Sequence, residues 1–180
     1  MRVIAGQWRG RALVAPKGTD TRPTADRTRE ALFSMLVSRF GSFEGVRALD
    51  LFAGSGALGI EALSRGCGHC SFVENDGAAL DALRTNLAKL GADAVSDVRA
   101  QSVMALGPAL APYDLVLLDP PYRSGAGVVA LERLLRLLLS ADRPVVSVET
   151  AKGEAVAVEG FEVDAERVHG KAMITLLRPI

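Results

Sequence analysis

Leu49-Asp50-Leu51-Phe52-Ala53-Gly54-Ser55-Gly56-Ala57-Leu58-Gly59 is the stretch on which the fold turns. Residues 46–52 have the apolar character of a buried strand, and residues 57–65 read as a helix. Between them, Gly54 and Gly56 let the chain turn sharply and let backbone approach a ligand closely. The start of the following helix offers unpaired N–H groups and the positive end of a dipole. Taken literally, Gly54-x-Gly56-x-x-Gly59 matches the dinucleotide fingerprint, which cofactors containing adenosine generally satisfy. A P-loop is excluded, because no Gly-Lys-Ser/Thr follows. The plain alternative is a glycine turn of no function. The coincidence of strand, glycines, helix and a second acid at Glu74, where the next strand ends, weighs against it.

Outward from this loop, strands and helices alternate. Strands are expected at 70–74, 95–100, 113–118 and 144–149, and helices at 78–90 and 128–139. Gly153, Gly160 and Gly170 then punctuate what reads as three antiparallel strands. Repeated β-α units imply an α/β fold with a parallel, doubly wound sheet, whose ligands sit at the carboxyl ends of its strands. Upstream, residues 2–15 suggest two short strands around Gln7-Trp8-Arg9-Gly10. A loop at 16–23 follows, then a helix at 25–39 with Thr24 as its N-cap and Gly41 at its end. Residues 1–40 thus form an extension of a main domain at 41–180.

Composition narrows the class. A chain of 180 residues, 49% hydrophobic, is long enough and apolar enough for one folded core. It has no apolar run near the roughly 20 residues of a membrane helix. Met1-Arg2-Val3-Ile4 does not resemble a secretory signal. A cytoplasmic protein without a membrane partner is expected, with a monomer as the default. The only cysteines are Cys67 and Cys70, flanking His69. No second pair completes a zinc site and no metal is expected; a turn entering a buried strand is the simplest reading, with a redox pair as the alternative. The net charge of zero hides an asymmetry: residues 1–40 carry +5 and the remainder −5. A basic arm on an acidic body suits a polyanion partner, although arginines also serve simply to keep a surface soluble.

Two cofactor classes fit the glycine loop: a nicotinamide or flavin nucleotide, and S-adenosylmethionine. Asp50 helps to separate them. An acid just ahead of the loop repels a pyrophosphate and suits a ligand bearing an ammonium and a sulfonium. The expected binding residues are Asp50, Phe52, Ala53, Gly54, Ser55, Gly56, Glu74 and Asn75. A second motif, Asp119-Pro120-Pro121-Tyr122, follows the strand at 113–118 and so lies at the same sheet edge. Two prolines fix two φ angles and remove two N–H donors. What remains is a row of acceptors, the Asp119 carboxylate and the Pro120 carbonyl, suited to an –NH2 group. Tyr122 offers a face on which a base can stack. An exocyclic amine is a poor nucleophile because its lone pair is delocalised; holding both N–H bonds turns that pair toward an electrophilic methyl group. Arg22, Arg27 and Arg29 at a helix start suit RNA phosphates, with a solvated helix face as the alternative. Trp8 is either a stacking platform for RNA or a cover for the hairpin. Arg123 with Gly125-x-Gly127 suggests a lid over the base. His169 reads as a residue decorating a hairpin turn.

These motifs, with Arg2-Val3-Ile4-Ala5-Gly6-Gln7-Trp8-Arg9-Gly10-Arg11 and the segment from Arg22-Pro23-Thr24 to Phe33, resemble the bacterial methyltransferases of small-subunit (16S) ribosomal RNA that act on guanine N2. The resemblance covers nearly the whole chain. It implies a Rossmann-like class I S-adenosylmethionine-dependent methyltransferase with a seven-stranded, mostly parallel sheet and an N-terminal β-hairpin. It implies S-adenosyl-L-methionine at Gly54, Gly56 and Glu74, the target guanine at Asp119 to Tyr122, and RNA at Arg9 and Arg11. Gln101-Ser102 stands where the family places a polar contact to adenine, with glutamine in place of the more frequent acid or asparagine. The implied partner is 16S ribosomal RNA or the small subunit, including an assembly intermediate. Other amino acceptors (adenine N6 in DNA, a protein glutamine), a nicotinamide-dependent oxidoreductase and a non-catalytic RNA-binding assembly factor are the competing readings.

Overall fold

The computed structural model describes residues 1–17, 23–108, 111–121, 124–138 and 144–180, without the side chains of 23, 24 and 133–138. Seven strands form one sheet: β1 (Arg47–Leu51), β2 (His69–Glu74), β3 (Ser96–Ala100), β4 (Leu115–Leu118), β5 (Val145–Ala151), β6 (Phe161–His169) and β7 (Ala172–Pro179). Their order is β3-β2-β1-β4-β5-β7-β6. The first five are parallel, and β7 runs antiparallel to β5 and β6. Among the described residues, four α-helices accompany the sheet: α1 (Pro23–Phe40), α2 (Ala57–Ser64), α3 (Gly77–Leu90) and α4 (Ala126–Leu138). The strand order reverses direction between β1 and β4, which opens a crevice at their carboxyl ends.

Alternation along the buried strands supplies both faces of the core. Leu115 and Leu117 join one apolar cluster with Phe33 of α1, Ile60 of α2 and Leu83 of α3, while Val116 and Leu118 join a second with Leu131 of α4. Such two-sided burial explains why β4 reads as an unbroken apolar run. Val3 and Leu13 belong to the first cluster, so residues 1–40 share a core with the rest of the chain. No described helix is long and apolar enough to cross a membrane.

Four expectations need correction. The N-terminal hairpin keeps one antiparallel bridge, Arg2 to Ala12, rather than two strands. Its ladder stops because the Ile4 and Ala5 amides donate instead to the Glu61 carboxylate of α2, at 2.8 and 3.1 Å. Helix α1 begins at Pro23, a residue suited to a first helical turn, so Thr24 lies inside the helix and is not its cap. After β5 the sheet gains two strands, not three. Residues 152–160 form a loop, with Gly153 and Gly160 at positive φ and Val156 and Val158 buried in the second cluster. His169 does more than decorate a turn, since its Nδ1 lies 3.3 Å from the Thr28 hydroxyl of α1.

Candidate active site

The glycine loop joins β1 to α2 at the sheet's carboxyl edge. Gly54 (φ +58°) and Gly56 (φ +88°) occupy left-handed backbone, as does Phe52 at +60°. A phenylalanine there carries strain of about 1 kcal/mol, a cost typical of functional loops. Gly59 is required by packing: a Cβ would stand 2.4 Å from the Phe72 ring and 2.7 Å from Cys70 Sγ. Its amide donates to Asp50 Oδ2 at 2.9 Å.

A cavity of about 350 Å³ opens against this loop. Asp50, Phe52, Ala53, Gly54 and Ser55 line it, as do Asp119 and Glu149 from the ends of β4 and β5. The cofactor loop and the acceptor motif therefore face one space. Asp50 is 1% exposed, and its second oxygen, Oδ1, is buried without a hydrogen-bond partner among the described residues. Burial first, then the charges of Asp119 and Glu74, push its carboxyl well above the usual range, against the Gly59 hydrogen bond. An orphaned acceptor on a cavity wall lacks a donor, and the ammonium of S-adenosylmethionine is one of the right charge. The loop residues thus fit that cofactor.

Glu74 ends β2, but its carboxylate is engaged with the loop itself. It accepts from the Gly54 amide at 2.8 Å and from Asn75 and Asp76 at 2.8 and 2.9 Å. Spare lone pairs remain for ribose hydroxyls. Asn75 is exposed beside it. The Gln101 backbone N–H donates to the Glu74 carbonyl at 3.0 Å, which sets Gln101 on the same edge, while the Ser102 hydroxyl caps a short turn at Met104.

Asp119 keeps surface open to the cleft although protein crowds it on its other sides. Desolvation, then the nearby Glu149 charge, push its carboxyl up to about 8. Pro120 is buried against Gly127, and the Pro121 carbonyl accepts from the Ser124 hydroxyl at 2.7 Å, which stiffens the motif. Tyr122, Arg123 and Arg22 lie outside the described residues.

The arginines separate into two groups. Arg9 and Arg27 are exposed, and Arg11 is exposed with its guanidinium 2.9 Å from the Lys89 carbonyl at the end of α3. Arg29 is a correction: it is 4% exposed and is not offered to RNA phosphates. Its guanidinium pairs with Asp26 at 3.1 Å and with Glu61 at 3.3 Å, and also donates to the Arg2 carbonyl. Trp8 is half-buried against the first core cluster, which favours a covering role.

Three further residues escaped the sequence reading. Glu61, 1% exposed, ties α1, α2 and the N-terminal arm together; a lone acid in Gly-Ile-Glu-Ala-Leu was the available signal. Asn86 of α3 spends its whole amide on the arm and the loop. It exchanges hydrogen bonds with Val14 at 2.7 and 3.0 Å and donates to the Ser55 carbonyl at 3.0 Å. It sits between Leu83 and Leu87 on the helix's apolar face. Glu149 could have been found by the strand-end rule that singled out Glu74 and Asp119. Cys67 and Cys70 are buried; burial raises the Cys67 thiol to about 12 and Cys70 well above its usual value, so neither is a ready thiolate.

A family model described as Conserved hypothetical protein 95 matches residues 1–178. The chain belongs to that family. Ribosomal RNA small subunit methyltransferase D of Escherichia coli strain K12 is 36% identical to it over 182 residues, covering 98% of this chain and 88% of that protein. The family resemblance seen in the sequence is thereby confirmed. The solved structure of yhhF from Escherichia coli superposes with a TM-score of 0.81 at 34% identity, over 99% of this chain and 97% of that one. Magnesium protoporphyrin IX methyltransferase from Synechocystis PCC 6803, solved with bound SAM, has a TM-score of 0.71 at 16% identity, over 91% of this chain and 87% of its own, a likeness of fold. The fold is that of the class I S-adenosylmethionine-dependent methyltransferases.

Proposed function

We propose that this family member transfers a methyl group from S-adenosyl-L-methionine to the exocyclic N2 of a guanine in small-subunit ribosomal RNA. The observation that carries the reading is that Asp50 and Asp119 line the same cavity. One carboxylate suits the cationic end of the cofactor, and the other suits the amine to be methylated. The near full-length likeness to a ribosomal RNA methyltransferase supports the substrate class.

The cofactor, when bound, supplies an electrophilic methyl on a sulfonium. The glycine loop, held by Glu74 and Asn86, would hold it, and the unpartnered Asp50 Oδ1 would accept from its ammonium. Asp119 and the Pro120 carbonyl accept the two N–H bonds of the guanine amine and turn its lone pair toward the methyl carbon. Transfer would leave S-adenosylhomocysteine, with the amine nitrogen gaining the methyl group and giving up a proton. Orientation accounts for much of the rate. The target base must leave its stack to reach Asp119. Arg9, Arg11 and Arg27 serve as phosphate contacts on the arm and α1.

The test incubates the protein with methyl-labelled S-adenosylmethionine and small ribosomal subunits from a strain lacking its own enzyme of this type. The RNA is then digested to nucleosides. Label in N2-methylguanosine supports the whole reading. Label in another nucleoside, or in protein, would overturn it.

A further inference from the structure

Guanine, adenine and cytosine each carry an exocyclic amine next to a ring nitrogen. In guanine the amine lies between two ring nitrogens, N3, which accepts, and N1, which bears a proton and donates. In adenine (N1) and cytosine (N3) the neighbouring ring nitrogen bears a lone pair and accepts. A row of acceptors that holds only the amine treats the three bases alike, so Asp119 and Pro120 do not by themselves choose among them. The choice needs a second group beside Asp119 that is an acceptor and never a donor.

Glu149 stands at that place. In the parallel β4–β5 pair, Leu118 lies opposite Val148, so Asp119 and Glu149 are the next pair outward, with side chains on the same side of the sheet. Both line the 350 Å³ cavity, and the Glu149 charge is felt at Asp119. The end of β5 is pinned just beyond it: the Thr150 hydroxyl donates to the Glu154 carbonyl at 3.0 Å, and the Ala151 amide to the Glu154 carboxylate at 3.3 Å. Glu149 is thus held by a fixed strand end rather than by a free loop, as a discriminating contact requires.

We propose that Glu149 is the residue that selects guanine, accepting the N1–H while Asp119 accepts from the N2 amine. The inference rests on guanine N2 being the acceptor. A lone pair at the N1 of adenine or the N3 of cytosine would face the Glu149 carboxylate and be repelled. The amine would then be held away from the methyl group even where Asp119 could bind it.

The experiment uses the intact protein and its Glu149→Gln and Glu149→Ala variants. The substrates are small subunits carrying guanine, or adenine substituted in the RNA gene, at the mapped target position. Wild type yields N2-methylguanosine on the first and no product on the second. Glu149→Ala loses about a hundredfold in kcat/KM on guanine while its affinity for S-adenosylmethionine, by calorimetry, changes less than about twofold. Glu149→Gln, whose amide can either accept or donate, keeps part of the guanine activity and gains N6-methyladenosine on the adenine particles. A Gln variant that matches wild type on guanine and still refuses adenine overturns the proposal, as does a variant that loses the cofactor. The Gln variant carries the test alone should the Ala variant not fold. Wild-type product other than N2-methylguanosine would instead overturn the functional reading, before any Glu149 variant is measured.

Discussion

At the scale of single residues, Asp119 is asked to do two opposed things. In its proposed role it accepts from an amine, best as the carboxylate, yet burial and then the Glu149 charge favour the protonated form, raising the carboxyl from 3.8 to about 8. A carboxyl whose folded value exceeds its unfolded one contributes stability that is complete below about pH 3.8 and lost as pH rises toward 8. Asp119→Asn is therefore expected to melt at a higher temperature than wild type at pH 8 to 9, with the difference closing near pH 4. A lower melting point at pH 9 would contradict this. The proposed mechanism also makes this position decisive for turnover: Asp119→Ala should lower kcat by about a thousandfold, close to 4 kcal/mol, while calorimetry still detects S-adenosylmethionine binding. Normal turnover by that variant would remove Asp119 from its role. That the acid–proline motif and the glycine loop meet at one cavity was legible in the sequence because it follows from residue type and position after a strand. Glu149 was missed because Val-Ser-Val-Glu-Thr carries no glycine or proline to mark a special backbone, and its meaning depends on the strand beside it.

At the scale of elements, the N-terminal arm is fastened by side chains rather than by a sheet ladder. Glu61 takes two arm amides and two guanidinium groups from a site with no water access. Gly6 (φ +87°) makes the approach possible, since a Cβ there would stand 1.9 Å from the Ser64 carbonyl oxygen. Removing one partner of such a buried ion pair costs about 3–5 kcal/mol. Glu61→Ala should lower the stability measured by urea unfolding by that amount, and limited proteolysis should cut first within residues 1–17. An unchanged unfolding midpoint would show that the arm is held by other means. The sequence reading placed these residues in two strands because it sees alternation and a turn but not a carboxylate arriving from 57 residues away. It also could not tell Arg27 from Arg29. The two differ only in which side of α1 they occupy, and charge counts do not report which side meets the core.

At the scale of the whole molecule, the basic arm and α1 lie in the same unit as an acidic body whose cavity holds Asp50, Asp119 and Glu149. A polyanion is attracted to one part and repelled by the other, which orients it before contact. Arg9→Glu and Arg27→Glu are each expected to weaken binding to small ribosomal subunits and to flatten the dependence of log K on log salt by about one unit or more, leaving the unfolding midpoint near that of wild type. Arg29→Ala should do the reverse, lowering stability because its buried partners are left unpaired. Equal effects of Arg27 and Arg29 on the salt slope would undo the division drawn between them.

The reversal of strand order between β1 and β4 has a consequence for how such a molecule can change over generations. Residues suited to the methyl donor come mainly from β1 and β2, and those suited to the methyl acceptor from β4 and β5. Substitutions at the ends of β4 and β5 can alter what is modified without rebuilding the donor's seat. The two halves of the chemistry are therefore exposed to selection separately, and a lineage can exchange one target for another while inheriting the same supply of methyl groups.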